Sequence, residues 1–438
     1  MNIKLKAKKF AIKVHSNQFR KGEPDKPMII HPINVACILS EYGFDDNVVA
    51  AGYLHDVVED TKYTLNDITK IFGNDISSLV ESASEPDKSL SWEERKIHTI
   101  NECSKLDLRH KAIIVADKIN NLSDLERLIN TSENYNYSNF KRGYNEQKWY
   151  YTTLYEKISK NETHPIFDKL KHIIKNVFEN DPAEYKYLTK ERLCKLKEIH
   201  YLKYEIKNLI NTLDMKPYVI EFTGTPRTGK TSIIKNLEEF FKKGGYKVCI
   251  LEEFTTSKYY KEKIYPTLKN EYRKVVNTEI PKHVYEQLVN ALKKDYDIII
   301  IDRSLFDRCI WIDRLHLQNG IDNDDLNEYF NKYIPIIRQN IDMVVATYSD
   351  SKTSMIRDYE ANLSLEKRNF LNEKNLEEYN ISLQNMLKLF KDNEYNINFY
   401  DTTSLSLKDN EYLIVKDILL KMKNKYYNEF IKKYKKTR

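Results

Sequence analysis

Glycine is scarce, with ten in 438 residues, and so few permissive backbone positions point to long helices with few tight turns. Cysteine is scarce as well. The five present, Cys37, Cys103, Cys194, Cys249 and Cys309, lie far apart with no C-x-x-C pair. That excludes a disulfide framework and a zinc knuckle, and a reducing compartment is expected. No apolar run reaches membrane-spanning length, and Met1 to Lys9 is too charged for the apolar core of a signal peptide. A cytoplasmic protein without a membrane partner is the expectation. Nor does one charge dominate: 71 basic side chains face 65 acidic ones, a net charge of +6. This balance does not demand a nucleic-acid partner but suits small anionic substrates. The stretch from Lys421 to Arg438 is locally basic through Lys432, Lys433, Lys435, Lys436 and Arg438, and reads as a solvated helix end or tail, or else as a contact for nucleic acid or an acidic partner.

What is present fits a soluble multidomain protein. Hydrophobic residues make up 41% and charged residues 31%, and the length exceeds what one hydrophobic core usually serves. From Lys4 to about Asn180 the apolar pattern is helical throughout, with loop punctuation at Gly22–Pro32 and Ser84–Leu90. A charged stretch, 181–216, repeats apolar residues at helical spacing and reads as a connecting helix. Beyond Pro217, buried strands such as Tyr218–Thr223 and Ile298–Ile301 alternate with helices, which indicates a parallel sheet. The expected architecture is an all-α domain over 1–180, a helical linker over 181–216, and an α/β P-loop NTPase domain over 217–438. No internal repeat is visible, and homo-oligomerisation is left open.

Four residues of the helical part could share a metal ion: His31 at a helix start, His55 and Asp56 at the end of an apolar helical run, and Asp117 at the end of another. Two imidazoles and two carboxylates suit Mn²⁺, Fe²⁺ or Zn²⁺. Glu59 and Asp60 follow one turn after His55 and Asp56, where carboxylates can position and deprotonate a water. Taken singly, each is as readily a cap or a surface group; the set carries the signal. His15–Lys21, Ile30–Pro32, Leu54–Thr61, Phe72–Gly73 and Ala116–Leu122 together resemble the hydrolase domain of RelA/SpoT proteins and its small stand-alone relatives, an HD-type metal-dependent domain. The resemblance spans about residues 1–180. It implies a Mn²⁺ site of His31, His55, Asp56 and Asp117, with Glu59 and Asp60 handling the attacking water. It also implies removal of the 3′-pyrophosphate of (p)ppGpp, with Arg20 and Lys21 facing the substrate and Asn121 near its ribose or phosphates. Arg95 or Lys96, after Trp92, would add phosphate contacts; His15 serves either the fold or the site.

The second signal is Gly224-Thr225-Pro226-Arg227-Thr228-Gly229-Lys230-Thr231, which satisfies G-x-x-x-x-G-K-S/T after a strand and before a helix. Backbone N–H groups of such a loop cradle phosphates at the helix N-terminus. Lys230 would reach the β- and γ-phosphates of ATP and Thr231 would ligate Mg²⁺; Arg227, Thr228 and Ser232 complete the expected cofactor set. Asp302, closing the Ile298–Ile301 run, fits the carboxylate that holds Mg²⁺ or its water. Asp302-Arg303, with Glu252-Glu253 after the second strand, resembles the thymidylate kinase and deoxynucleoside kinase group over 217 to about 400. That resemblance implies Glu253 at the acceptor and Arg303 beside the transferred phosphate, although the group's usual Glu-Pro is Glu253-Phe254 here. Arg357 to Arg368 is either a lid closing on ATP or a charged helix face. The two domains then serve one nucleotide pathway, or ATP binding by the second regulates the first.

Overall fold

The structure is a computed structural model and describes residues 2–20, 23–84, 89–131, 142–179, 188–213, 215–267, 279–362, 372–391, 395–404 and 406–435. Lys21, Arg368 and the start of the linker at Asp181 lie outside the described residues. The chain divides into two compact units, Met1–Asp214 with Lys423–Arg438, and Met215–Met422.

The first unit is helical, as its apolar periodicity predicts. Helix α1 (Ile3–Val14) is followed by α2 (Ile30–Glu41), α3 (Asp46–Leu54), the single turn α4 (Val57–Asp60), α5 (Leu65–Phe72), α6 (Asn74–Ala83), α7 (Trp92–Cys103), α8 (Leu108–Thr131), α9 (Tyr144–Ile158), α10 (Pro165–Phe178) and α11 (Lys190–Leu213). Start signals are written locally. Asp45 caps α3 by accepting from Asn47 and Val48 N–H, and Thr64/Asp67 and Ser91/Glu94 form capping boxes on α5 and α7, each supplying partners to otherwise orphaned amides. One feature departs from the helical expectation. Phe19–Arg20 (β1) and Glu23–Pro27 (β2) pair as an antiparallel hairpin, where prolines that cannot continue a helix are tolerated at a sheet edge.

Helices α2 and α3 are buried along almost their whole length. Gly52 lets them approach: a Cβ there would stand 2.7 Å from Leu39 Cδ1 and 3.2 Å from Ala36 Cα. This close approach brings the end of α3 against the start of α2, where two histidines meet.

The second unit holds a five-stranded parallel sheet in the order β4-β5-β3-β6-β7. Its elements are β3 (Tyr218–Gly224), α12 (Lys230–Lys243), β4 (Val248–Leu251), α13 (Ile280–Leu292), β5 (Ile298–Asp302), α14 (Leu305–Leu317), α15 (Asn323–Asn340), β6 (Met343–Tyr348), α16 (Ser351–Asn362), α17 (Glu373–Lys391), β7 (Ile397–Asp401) and the first part of α18 (Leu407–Lys435), whose residues from Lys423 onward belong to the first unit. The central strand β3 is buried at every position, as a strand covered on both faces must be. The chain runs from β3 to one side of the sheet and later to the other. That makes the carboxyl end of β3 a topological switch point, where open α/β sheets bind ligands. Among the described residues no helix is long and apolar enough to cross a membrane.

Candidate active sites

In the first unit, α2, the α3–α4 turn and α8 bring four side chains together. His31 Nε2 lies 3.2 Å from His55 Nε2, 3.1 Å from Asp117 Oδ1 and 3.5 Å from Asp56 Oδ2. His55 Nε2 lies 3.2 Å from Asp56 Oδ1 and 3.9 Å from Asp117 Oδ1. Both rings are buried. Their other nitrogens are engaged: His31 Nδ1 pairs with Asn120 Oδ1 at 2.6 Å and His55 Nδ1 with the Gly52 carbonyl at 2.9 Å. Both partners are oxygens that accept, so each Nδ1 carries the proton, and a neutral ring of that tautomer presents its lone pair at Nε2. The two Nε2 atoms, 3.2 Å apart and flanked by carboxylates, converge on one point. The donor set therefore fits a divalent metal ion.

The sequence places His55-Asp56 on one continuous helix with Glu59-Asp60. Instead α3 ends at Leu54 and α4 begins at Val57; the break turns His55 and Asp56 into the same pocket as Glu59 and Asp60. His15, fully buried, pairs with Gln18 Oε1 at 2.5 Å, and Gln18 Nε2 donates to the Asp60 carbonyl at 2.6 Å. His15 thus supports the backbone of the acidic turn. Burial, the largest influence, lowers its pKa.

Helix α8 lays Asp117, Asn120, Asn121 and Asp124 on one face, at the i, i+3, i+4, i+7 spacing of a helical stripe. Asn121 Nδ2 donates to Asp117 Oδ1 at 2.6 Å, and its Oδ1 accepts from Arg20 Nη2 at 3.2 Å. Arg20 also pairs with Asp124 Oδ2 at 3.0 Å. Burial works against a charged Asp117, yet Lys118 at 2.6 Å and His31 hold its carboxyl well below the usual range. The cavity over this floor has a volume of about 450 Å³ and is walled by Trp92, Arg95, Lys96, Lys118, Tyr150 and Tyr151. Lys96 Nζ rests 4.7 Å from the centre of the Tyr150 ring. An acidic floor with the donors to hold a metal thus shares its cavity with a basic, aromatic wall. The sequence singles out Arg20 and Asn121 but not Asn120, Lys118 or Asp124, although the stripe around Asp117 contains all but Lys118.

In the second unit, Gly224 ends β3 at φ +129°, and a Cβ there would lie 1.9 Å from the Thr347 carbonyl oxygen; only glycine fits. Gly229 opens α12, with Thr231 and Ser232 exposed in its first turn. Lys230 is buried and folds back to donate to the Gly224 carbonyl at 2.9 Å and the Thr225 carbonyl at 2.8 Å. Burial, then the nearby Arg303, push its pKa down. Thr228 Oγ1 meets Thr347 Oγ1 at 2.7 Å, and Arg227 is pinned by Asp358 at 2.6 Å. Asp302 Oδ1 is buried without a hydrogen-bond partner, and burial raises its pKa. An orphaned carboxylate oxygen beside the loop fits a divalent cation.

Arg303 adopts φ +59°, a strained conformation for a side-chain-bearing residue, and what it touches explains why. Its guanidinium reaches Asp307 Oδ1 at 2.8 Å, the Gly224 carbonyl at 3.0 Å and Tyr379 Oη at 3.2 Å, with Glu253 Oε2 at 3.7 Å. Asp307 is fully buried and also accepts from Thr223, Tyr379, Arg308 and Trp311. Below it, Glu221 accepts the N–H groups of Ser304, Phe306 and Asp307 at the start of α14; burial pushes its carboxyl up to about 7. Neither buried acid stands out in the sequence. Arg357 donates to the Thr402 carbonyl at 2.6 Å, a tie to the end of β7 that favours the helix-face reading over a lid.

Comparison with known proteins gives these sites a family. Residues 7–138 match the HD domain family and residues 219–388 an AAA domain family. The guanosine-3′,5′-bis(diphosphate) 3′-pyrophosphohydrolase MESH1 of Homo sapiens is 42% identical over 125 residues, covering 28% of this chain and 69% of that protein. The chain belongs to the MESH1 family. Its HD domain is homologous to these pyrophosphohydrolases. Drosophila melanogaster MESH1 is 43% identical over 119 residues, 27% of this chain, and the match spans 65% of that relative's length. A solved deoxyadenosine kinase from M. mycoides with bound dATP is 23% identical, with a TM-score of 0.34, over 46% of this chain and 98% of its own.

Proposed function

We propose that the first unit is a divalent-metal-dependent hydrolase, with Mn²⁺ as its ion, that removes the 3′-pyrophosphate of (p)ppGpp-like nucleotides. The observation that carries this reading is the pair of Nε2 lone pairs facing each other between Asp56 and Asp117, at the floor of a cavity with basic and aromatic walls. His31, His55, Asp56 and Asp117 hold the ion, which when bound lowers the pKa of a water and neutralises phosphate charge. Glu59 or Asp60 would take the proton of an attacking water as its oxygen bonds the phosphorus next to the ribose, the O3′–P bond would break to release pyrophosphate, and the carboxylic acid so formed would return its proton to the 3′-oxygen. Arg20, anchored by Asn121 and Asp124, would face the departing pyrophosphate. Asn121 joins this end to the metal floor through Asp117. Trp92, half-buried in the cavity wall, offers an aromatic surface to a base. The basic wall favours a substrate with several phosphates, and the clustering of all four candidate ligands favours an enzyme. The test is Mn²⁺-dependent release of pyrophosphate from ppGpp by the wild type and by Asp56→Ala. Equal release by both removes the metal site from the mechanism.

We propose that the second unit binds ATP with Mg²⁺ through Gly224, Arg227, Thr228, Gly229, Lys230, Thr231, Ser232 and Asp302. Transfer to a nucleoside or nucleotide then uses Arg303 at the moving phosphoryl group and Glu253 toward the acceptor. Glu253 Oε2 lies 3.7 Å from Arg303 Nε, so an acceptor held by one would lie beside the other. Screening nucleosides and nucleotides with labelled ATP tests this. ATP turnover with no labelled acceptor would instead favour regulation of the hydrolase.

A further inference from the structure

Behind Arg20, on the side away from the metal cluster, lies a buried set of charges that the reaction does not use. Asp124 divides its two oxygens: Oδ2 accepts from Arg20 at 3.0 Å and Oδ1 from Lys26 at 2.9 Å. Lys26, on β2, is 3% exposed. Its ammonium has two more carboxylates nearby, Glu23 Oε2 at 3.8 Å and Glu205 Oε1 at 3.9 Å. Of the three, only Asp124 is within hydrogen-bond distance. Glu205, on α11, is equally buried, and its Oε1 has no hydrogen-bond partner; its other oxygen lies 3.9 Å from Lys423 Nζ on α18. Arg127 closes the group, donating to Glu23 at 2.6 Å.

The ammonium of Lys26 therefore has a bonded partner and an unsatisfied one, about 1 Å of travel apart. With so little water present, neither attraction is screened. Every increment of Lys26 taken by Glu205 is withdrawn from Asp124, the carboxylate that forms an ion pair with Arg20. Burial opposes the Asp124 charge, but Lys26 first, then Arg20 and Arg127, hold its carboxyl well below the usual range.

We propose that Lys26 is a positioning residue of the hydrolase site: by sharing the Asp124 carboxylate with Arg20 it fixes where the Arg20 guanidinium stands, and Glu205 on α11 sets how much of Lys26 remains for Asp124. The proposal rests on the reading of Arg20 as the group that meets the substrate's pyrophosphate. It makes α11, which carries no residue of the metal cluster, an element through which substrate affinity is adjusted. The effect falls on binding rather than on the chemical step, because none of the four metal-site side chains touches Lys26 or Glu205.

The test compares the full-length wild type, Lys26→Met, Glu205→Gln and the double variant. Steady-state hydrolysis of ppGpp with Mn²⁺ is measured alongside calorimetric titration with inorganic pyrophosphate. Lys26→Met is expected to raise KM and to weaken pyrophosphate binding by about tenfold with kcat within about twofold, the signature of lost binding rather than lost transition-state stabilisation. Glu205→Gln, which removes a charge but no hydrogen bond at Oε1 and so leaves more of Lys26 to Asp124, is expected to lower KM about two- to threefold, and to add nothing in the Lys26→Met background. A folded Lys26→Met with wild-type KM and pyrophosphate affinity overturns the proposal, as does an effect of Glu205→Gln that persists without Lys26. Should Lys26→Met not fold, Glu205→Gln decides alone, and an unchanged KM overturns it. A wild type that releases no pyrophosphate from ppGpp is a different failure, that of the functional reading itself.

Discussion

The two sites of this chain are built by opposite strategies. The proposed metal site draws side chains from helices far apart in sequence, with His31 on α2, His55 and Asp56 after α3, and Asp117 on α8; the cluster exists only once the helical unit has packed. The phosphate loop is one contiguous run of backbone between β3 and α12, and its geometry is fixed by two glycines and a neighbouring strand. A distributed site is sensitive to side-chain chemistry and tolerant of local backbone change; a contiguous one has the reverse sensitivities.

Substitutions should separate these behaviours. The largest effect is expected from Asp117→Ala, which removes a ligand and the anchor of Lys118 and Asn121: pyrophosphate release should fall to background while ATP binding is unchanged, read by coupled phosphate assay and nucleotide titration. Gly224→Ala should do the converse. With its Cβ driven against the Thr347 carbonyl, the second unit should lose about 1–3 kcal/mol or more in denaturant unfolding, with hydrolysis by the first unit retained. Lys230→Met removes a charge-assisted contact to phosphate worth about 1.5–3 kcal/mol, so the Kd for ATP should rise roughly ten- to a hundredfold. Asn120→Ala frees the His31 ring without touching a ligand; metal affinity should fall about tenfold, measured by competition with a chelating dye, at nearly constant KM. Smallest is a pH effect confined to the helical unit. Two hydrogen-bonded contacts from Arg109, at 2.8 Å, are the main reason the Asp75 carboxyl is lowered from 3.8 to about 2. The stabilisation is therefore complete above pH 3.8 and lost as pH falls toward 2. Because Asp75 is half-exposed, it is worth only a few tenths of a kcal/mol, seen as a smaller loss of stability on acidification in Arg109→Gln.

The same contrast governs how much could be read from the sequence. The phosphate loop was legible outright, since its function lies in a local pattern. The four metal-site residues were legible only as a set, and the turn at His55-Asp56 was hidden because its dihedral angles stay near helical values and leave no Gly or Pro mark. The hairpin at 19–27 was missed because it is too short for a period-two pattern to register. Asp124, Lys26 and Glu205 were invisible for a different reason. Charged residues are ordinarily solvated, and nothing in the sequence says that these are buried against one another. Asp307 and Tyr379, which clamp Arg303, are 72 residues apart, a pairing that only the folded sheet creates.

Lys230 adds one more consequence. Its ammonium already holds two loop carbonyls and lies 3.4 Å from Thr228 Oγ1, so an arriving triphosphate meets an occupied cation. Binding is an exchange of oxygens rather than a capture. The loop is held in shape before the nucleotide comes, and the ordering has been settled at folding. Departure can follow the same route in reverse, with the carbonyls reclaiming the lysine as each phosphate oxygen lets go.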